Sequence, residues 1–177
     1  MSMRKISLGG ISIALALAAG AAFAEGPNLG KPVSPSDLAA WDIFVMPDGT
    51  GLPPGSGTPK QGEAVYAAKC VACHGEKGAG KPNDQLVGGQ GTLPGDKPAI
   101  KTLGSFWPYA TTVFDYVRRA MPYTESKSLT NDEVYAVAAY LLNLNGVIGE
   151  ADTMDPQTLP RVKMPNRDGF VPFARGK

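Results

Sequence analysis

The residues of this chain that could do chemistry lie in one five-residue string, Cys70-Val71-Ala72-Cys73-His74, which holds both of its cysteines and its single histidine. Two thiols two residues apart, followed at once by an imidazole, have the CxxCH spacing of haem attachment. The thiols can add to the two vinyl groups on one edge of a porphyrin, and the next residue sets an imidazole against the iron. The string therefore calls for one haem c, held covalently by Cys70 and Cys73, with His74 as iron ligand. A structural zinc site would need four ligands, usually from a second Cys or His pair, and the chain has none. Thioredoxin-like exchange belongs after a strand in a βαβ unit, and no strand–helix alternation surrounds these cysteines. A disulfide across so short a loop would be strained and would stabilise little.

Helical elements are expected on either side to position that string. Thr58-Pro59-Lys60-Gln61 combines an N-cap threonine, proline at the first helical position and glutamine three residues after the cap, so a helix should run from about Pro59 towards Cys70. Gly62, Ala64, Ala67 and Ala68 leave room for another helix to approach it. Val113, Phe114 and Val117 form an apolar stripe in a second helix over 112–120, which should stop at Pro122. Thr130-Asn131-Asp132-Glu133 is a full capping box, followed by Val134, Val137, Ala138, Leu141 and Leu142 at helical spacing, with Gly146 as the stop. The glycine-rich stretches between, such as Gly88-Gly89-Gln90-Gly91, do not suit packed strands. A core of about 90 residues is marginal alone, and a buried porphyrin would supply part of the missing apolar contact.

A length of 177 residues suits one modest core. The chain begins with Arg4 and Lys5, an apolar run from Ile6 to Ala22 and a small-residue Ala22-Phe23-Ala24 step, the order of a secretory signal ending at Ala24. The run contains Gly9, Gly10 and Gly20 and falls short of the roughly 20 apolar residues that span a bilayer, so a periplasmic protein without a membrane anchor is expected. Loss of Arg4 and Lys5 lowers the 17 basic residues to 15 against 16 acidic ones, which makes nucleic acid a poor partner.

From about Pro59 to Gly146 the chain resembles a class I cytochrome c: haem motif at the end of a first helix, glycine-rich loop, methionine in a late loop, final helix crossing the first. The resemblance implies an all-α class I fold around one covalently bound haem, with extended N- and C-terminal arms. It also implies a methionine as sixth ligand. Of Met46, Met121, Met154 and Met164, only Met121 lies between the middle and final helices, in Arg119-Ala120-Met121-Pro122, so His74 and Met121 are the expected iron ligands. The alternative for Met121 is a side chain that fills a core gap. In the family a proline carbonyl accepts the proton of the proximal histidine, and Pro82 in Gly80-Lys81-Pro82-Asn83 is similar to that segment. Trp107 either hydrogen-bonds a haem propionate or packs.

Longer strings, among them Trp41-Asp42-Ile43, Pro47-Asp48-Gly49-Thr50-Gly51-Leu52-Pro53-Pro54-Gly55-Ser56-Gly57, Gly88-Gly89-Gln90-Gly91-Thr92-Leu93 and Thr112-Val113-Phe114-Asp115-Tyr116-Val117-Arg118-Arg119-Ala120-Met121-Pro122, are similar to the cytochrome subunits of bacterial sulfite and sulfur dehydrogenases, the SoxD type included. That resemblance implies an electron-transfer subunit with no catalysis of its own. It implies a molybdenum-containing dehydrogenase subunit as donor and a downstream cytochrome c or oxidase as acceptor. The longer Sox form carries two haem motifs where this chain has one, which leaves open which system it serves. A free-standing electron carrier is the alternative. A haem enzyme or sensor is a poorer one, because no second histidine is present as a distal acid or base.

The resulting organisation is a signal over 1–24, an extended N-terminal arm over 25–58, the cytochrome domain over 59–146 and an extended C-terminal arm over 147–177. Both arms are rich in proline, yet Trp41, Ile43, Phe44, Val45, Phe170, Val171 and Phe173 suggest that they lie along the core or a partner. Lys69, Lys77, Lys81, Arg118 and Arg119 are expected to form a basic collar round the exposed haem edge.

Overall fold

The structure is a computed structural model and describes residues 29–39, 41–93 and 98–171. The signal segment lies outside the described residues. The chain divides into two compact units after Ala39. In the first, helix α1 (Pro35–Ala39) begins where Ser34 Oγ accepts from the Asp37 amide at 3.2 Å, so a short helix interrupts what the sequence suggested was an extended segment. In the second unit the helices are α2 (Pro59–Lys69), α3 (Val71–His74), α4 (Ala110–Ala120) and α5 (Asn131–Leu144), with single 3₁₀ turns at Glu76–Gly78 and Leu159–Arg161. Among the described residues there is no strand, only an isolated antiparallel bridge between Gly57 and Met154, and no helix is long and apolar enough to cross a membrane. The described residues thus form the all-α arrangement that the sequence predicted.

Both expected capping boxes form. Thr58 Oγ1 accepts from the Gln61 amide while Gln61 Oε1 accepts from the Thr58 amide at 2.9 Å, and Thr130 and Glu133 reciprocate in the same way. Helices α2 and α5 then cross closely. A Cβ on Gly62 would collide with the Ala136 carbonyl, and one on Gly57 with the Ala136 amide, so the absence of those side chains sets the approach. Tyr66 and Tyr140 seal the crossing with ring centroids 5.4 Å apart. Helix α4 starts two residues earlier than its apolar stripe indicated, because Ala110 and Thr111 are themselves buried. It ends at Ala120, with Met121 extended ahead of Pro122, the conformation that a following proline favours. Phe114 of α4 meets Tyr135 of α5 at 4.4 Å between centroids, at the centre of the core.

The segments flanking the helices pack on this core. Val45 is buried and its amide donates to Asp115 Oδ1 at 2.8 Å; Arg118 Nη1 donates to the Ile43 carbonyl at 3.1 Å; Tyr135 donates its hydroxyl to the Pro53 carbonyl at 2.9 Å. On the C-terminal side Met154, Leu159 and Met164 are buried, and Asn166 Nδ2 reaches the Phe106 carbonyl at 2.7 Å. The large side chains that suggested burial divide: Val45 is buried and Ile43 half-buried, whereas Trp41, Phe44, Phe170 and Val171 are exposed. Phe173 lies outside the described residues.

Candidate haem-attachment site

Cys70 is the hinge between α2 and α3. It closes α2 through its amide, which donates to the Tyr66 carbonyl at 2.9 Å, and its own carbonyl receives the amides of Cys73 at 3.1 Å and His74 at 3.0 Å. One helical turn therefore brings the two cysteines and the histidine onto neighbouring positions, since residues three and four apart share a face. The two thiols are not joined to each other. Burial, and then the charge of Cys73, push the Cys70 thiol up to about 11.

His74 is fixed at its far side. Its Nδ1 lies 2.9 Å from the Asp84 carbonyl oxygen, and because a carbonyl only accepts, Nδ1 carries the proton and donates it. The accepting carbonyl is thus that of Asp84 and not that of Pro82, where the sequence had placed it. The reason lies in the turn that precedes it. Lys81 N donates to Asn83 O at 2.8 Å and Asn83 N to Cys73 O at 2.9 Å, so the turn is pinned to the haem motif at Asn83 and the next residue's carbonyl meets the ring. Pro82 itself is exposed, after a cis Lys81–Pro82 bond. Tyr66 donates its hydroxyl to Gly75 O at 2.9 Å, and the Leu86 and Val87 amides donate to Gly78 O at 2.9 and 3.2 Å, so the loop after His74 folds back under it. Gly78 is buried at a φ of 72°, and a Cβ there would come within 2.7 Å of Val87 Cγ2.

Met121 is half-buried at the end of α4, its amide held by the Val117 carbonyl at 3.1 Å. Met154 and Met164 are buried under the C-terminal segment and act as core filling, while Met46 is exposed. Trp107 is half-buried and packs edge-to-face on Tyr116, with centroids 5.7 Å apart. Of the five basic residues, Lys77 and Lys81 are free in solvent, Lys69 pairs with Glu125 at 3.4 Å, Arg118 binds the Ile43 carbonyl and Arg119 pairs with Asp115. The arginines thus hold the molecule's own backbone and α4, and the free positive charge lies near the attachment motif.

Sequence reasoning missed Asn145. This buried C-cap residue of α5 accepts the Gly88 amide at 2.9 Å on Oδ1 and donates through Nδ2 to Leu141 O at 2.8 Å and Leu86 O at 3.3 Å, pinning the glycine-rich loop to the final helix. Val71, Leu86, Val87, Trp107, Met121 and Leu129 are apolar and only partly covered by the core. Two unpaired cysteines and an imidazole held through Nδ1 are the donor set that a haem requires, and half-covered apolar side chains on the core are available to meet it.

Comparisons with known proteins find likenesses to cytochrome c and sulfur-compound dehydrogenase proteins. The family model for cytochrome c oxidase, cbb3-type, subunit III matches residues 57–141. A thiosulfate dehydrogenase of Psychrobacter arcticus is 30% identical over 115 residues, which cover 59% of this chain and 34% of that protein, so the chain spans about a third of that relative's length. In the crystal structure of the sulfane dehydrogenase SoxCD from Paracoccus pantotrophus, one chain is 40% identical, with a TM-score of 0.78 over 85% of this chain and 74% of that one.

Proposed function

The chain belongs to the cytochrome c family, and from that premise we propose that it is a periplasmic mono-haem cytochrome that passes single electrons out of a sulfur-compound dehydrogenase. The observation that carries the reading is the single helical turn in which Cys70, Cys73 and His74 are presented together, with Nδ1 of His74 already tethered to Asp84. Cys70 and Cys73 would hold the haem through thioether bonds, and His74 Nε2 and the Met121 sulfur would bind its iron. When bound, the haem supplies a ferric/ferrous couple that takes up and releases one electron.

The protein's own residues tune that couple. The hydrogen bond to Asp84 fixes the tautomer and plane of His74 and raises its basicity. The Met121 thioether, a soft ligand, favours ferrous iron and raises the potential. Val71, Leu86, Val87, Trp107 and Leu129 keep water from the site, which disfavours the more highly charged oxidised state. Catalysis on the sulfur compound would belong to a partner subunit carrying molybdenum, and a downstream cytochrome or oxidase would take the electrons. The likeness to proteins called thiosulfate dehydrogenase and sulfane dehydrogenase supports that assignment. A free-standing carrier is the second reading, favoured by the packing of residues 43–57 and 154–166 on the chain's own core.

Gentle isolation of the tagged protein from its native periplasm, followed by metal analysis, separates the two. Molybdenum and sulfur-oxidising activity should co-purify with haem. A haem protein recovered alone, free of molybdenum, would establish the free-standing carrier instead.

A further inference from the structure

Resting on the reading of Met121 as an iron ligand, one feature of the second unit acquires a role. Residues 123–128 are all exposed, and their backbone bonds are local, from Glu125 N to Pro122 O at 2.9 Å and from Ser128 N to Glu125 O at 3.2 Å. Such a segment opens easily, because little buried contact resists it. Two side-chain contacts tie it to the rest of the molecule. Glu125 pairs with Lys69, an exposed ion pair of small worth, and Lys127 Nζ sits 4.8 Å from the centroid of the Trp41 ring. Lys127 makes this contact from a left-handed backbone conformation, φ 64°, that few residues with a side chain adopt.

The same stretch that carries Trp41 also grips α4, the helix that leads into Met121, along its length. Arg118 Nη1 donates to Ile43 O at 3.1 Å, the Val45 amide donates to the buried Asp115 Oδ1 at 2.8 Å, and Thr111 Oγ1 donates to Pro47 O at 3.1 Å. Asp115 also pairs with Arg119, so the C-terminal half of α4 is tied to residues 43–45 at positions 115 and 118. The contacts therefore bracket Met121, at 115 and 118 on one side and at 127 on the other.

We propose that residues 41–47 are a positioning clamp on the methionine segment, and that the Trp41–Lys127 latch sets how readily the Met121 sulfur leaves the iron. An external ligand can enter only when that sulfur is off, so its binding rate follows the opening equilibrium. Cyanide binding to the ferric holoprotein reads that rate, and the sulfur-to-iron absorption band reads the ligand itself. Trp41→Ala and Lys127→Ala should each speed cyanide binding about twofold to fivefold, the range of an exposed cation–π contact. The double variant should be no faster than the faster single one, because both changes delete the same contact. Haem content and the main thermal transition should not move, since Trp41 is 77% exposed. Met121→Ala serves as the reference. If it loses the band while both latch variants bind cyanide at the wild-type rate, the clamp is overturned and the ligand reading stands. Rates that multiply in the double variant also overturn the latch. A band retained in Met121→Ala overturns the ligand reading and the clamp together.

Discussion

At the scale of single residues, the site depends on polar groups whose partners are backbone atoms. Asp84 contributes through its carbonyl, so its side chain is immaterial to the contact with His74, and no substitution that keeps the backbone path should remove it. Asn145 is the opposite case. Its side chain satisfies the Gly88 amide and the carbonyls of Leu141 and Leu86 in a buried position, so truncation leaves several groups without partners at once. Asn145→Ala should cost about 1–3 kcal/mol in a denaturant titration of the holoprotein, with the glycine-rich loop gaining hydrogen exchange. A loss below 0.5 kcal/mol, on the order of an ordinary surface change, would show that the loop is held by other contacts. Cys70, Cys73 and His74 were legible from the sequence because their chemistry depends on spacing within one turn. Asp84 and Asn145 were not, since a backbone acceptor has no residue-type signature and Asn145 bonds to a loop 57 residues away.

At the scale of elements, the crossing of α2 and α5 is what places the haem motif. It rests on two glycines, and Gly62 has the tighter contact, against the Ala136 backbone and Tyr140 Cβ. Backbone cannot yield as a flexible side chain can, so any side chain at 62 must push the helices apart. Gly62→Val should destabilise the holoprotein by about 1–3 kcal/mol or more and lower the yield of haem-loaded protein, as measured by thermal melting and haem absorbance. Wild-type melting would mean that the helices can separate without cost. Helices α2 and α5 were readable because capping boxes are local signals, with cap and partner three residues apart. Helix α4 was read two residues short because its start has no side-chain cap and is set by burial against the rest of the unit. The flanking segments carried the weakest signal. Their composition suits tails, and what holds residues 43–57 in place is a set of single hydrogen bonds to side chains of α4 and α5, each more than sixty residues distant.

At the scale of the whole molecule, a helical core with flanking segments laid on it presents one attachment motif, two free lysines beside it and no arrangement of three or more His, Cys, Asp or Glu among the described residues that could hold a further metal ion. We propose that one haem acts here as a one-electron relay, and that proposal is the central claim. An optical redox titration of the purified holoprotein tests it most directly. One haem per chain is expected, with a single reversible wave of one-electron slope and the sulfur-to-iron band present in the oxidised protein. More than one wave, or an oxidised haem without that band that takes up carbon monoxide at once on reduction, would contradict it, because an open iron position is the mark of a haem enzyme or sensor and not of a carrier.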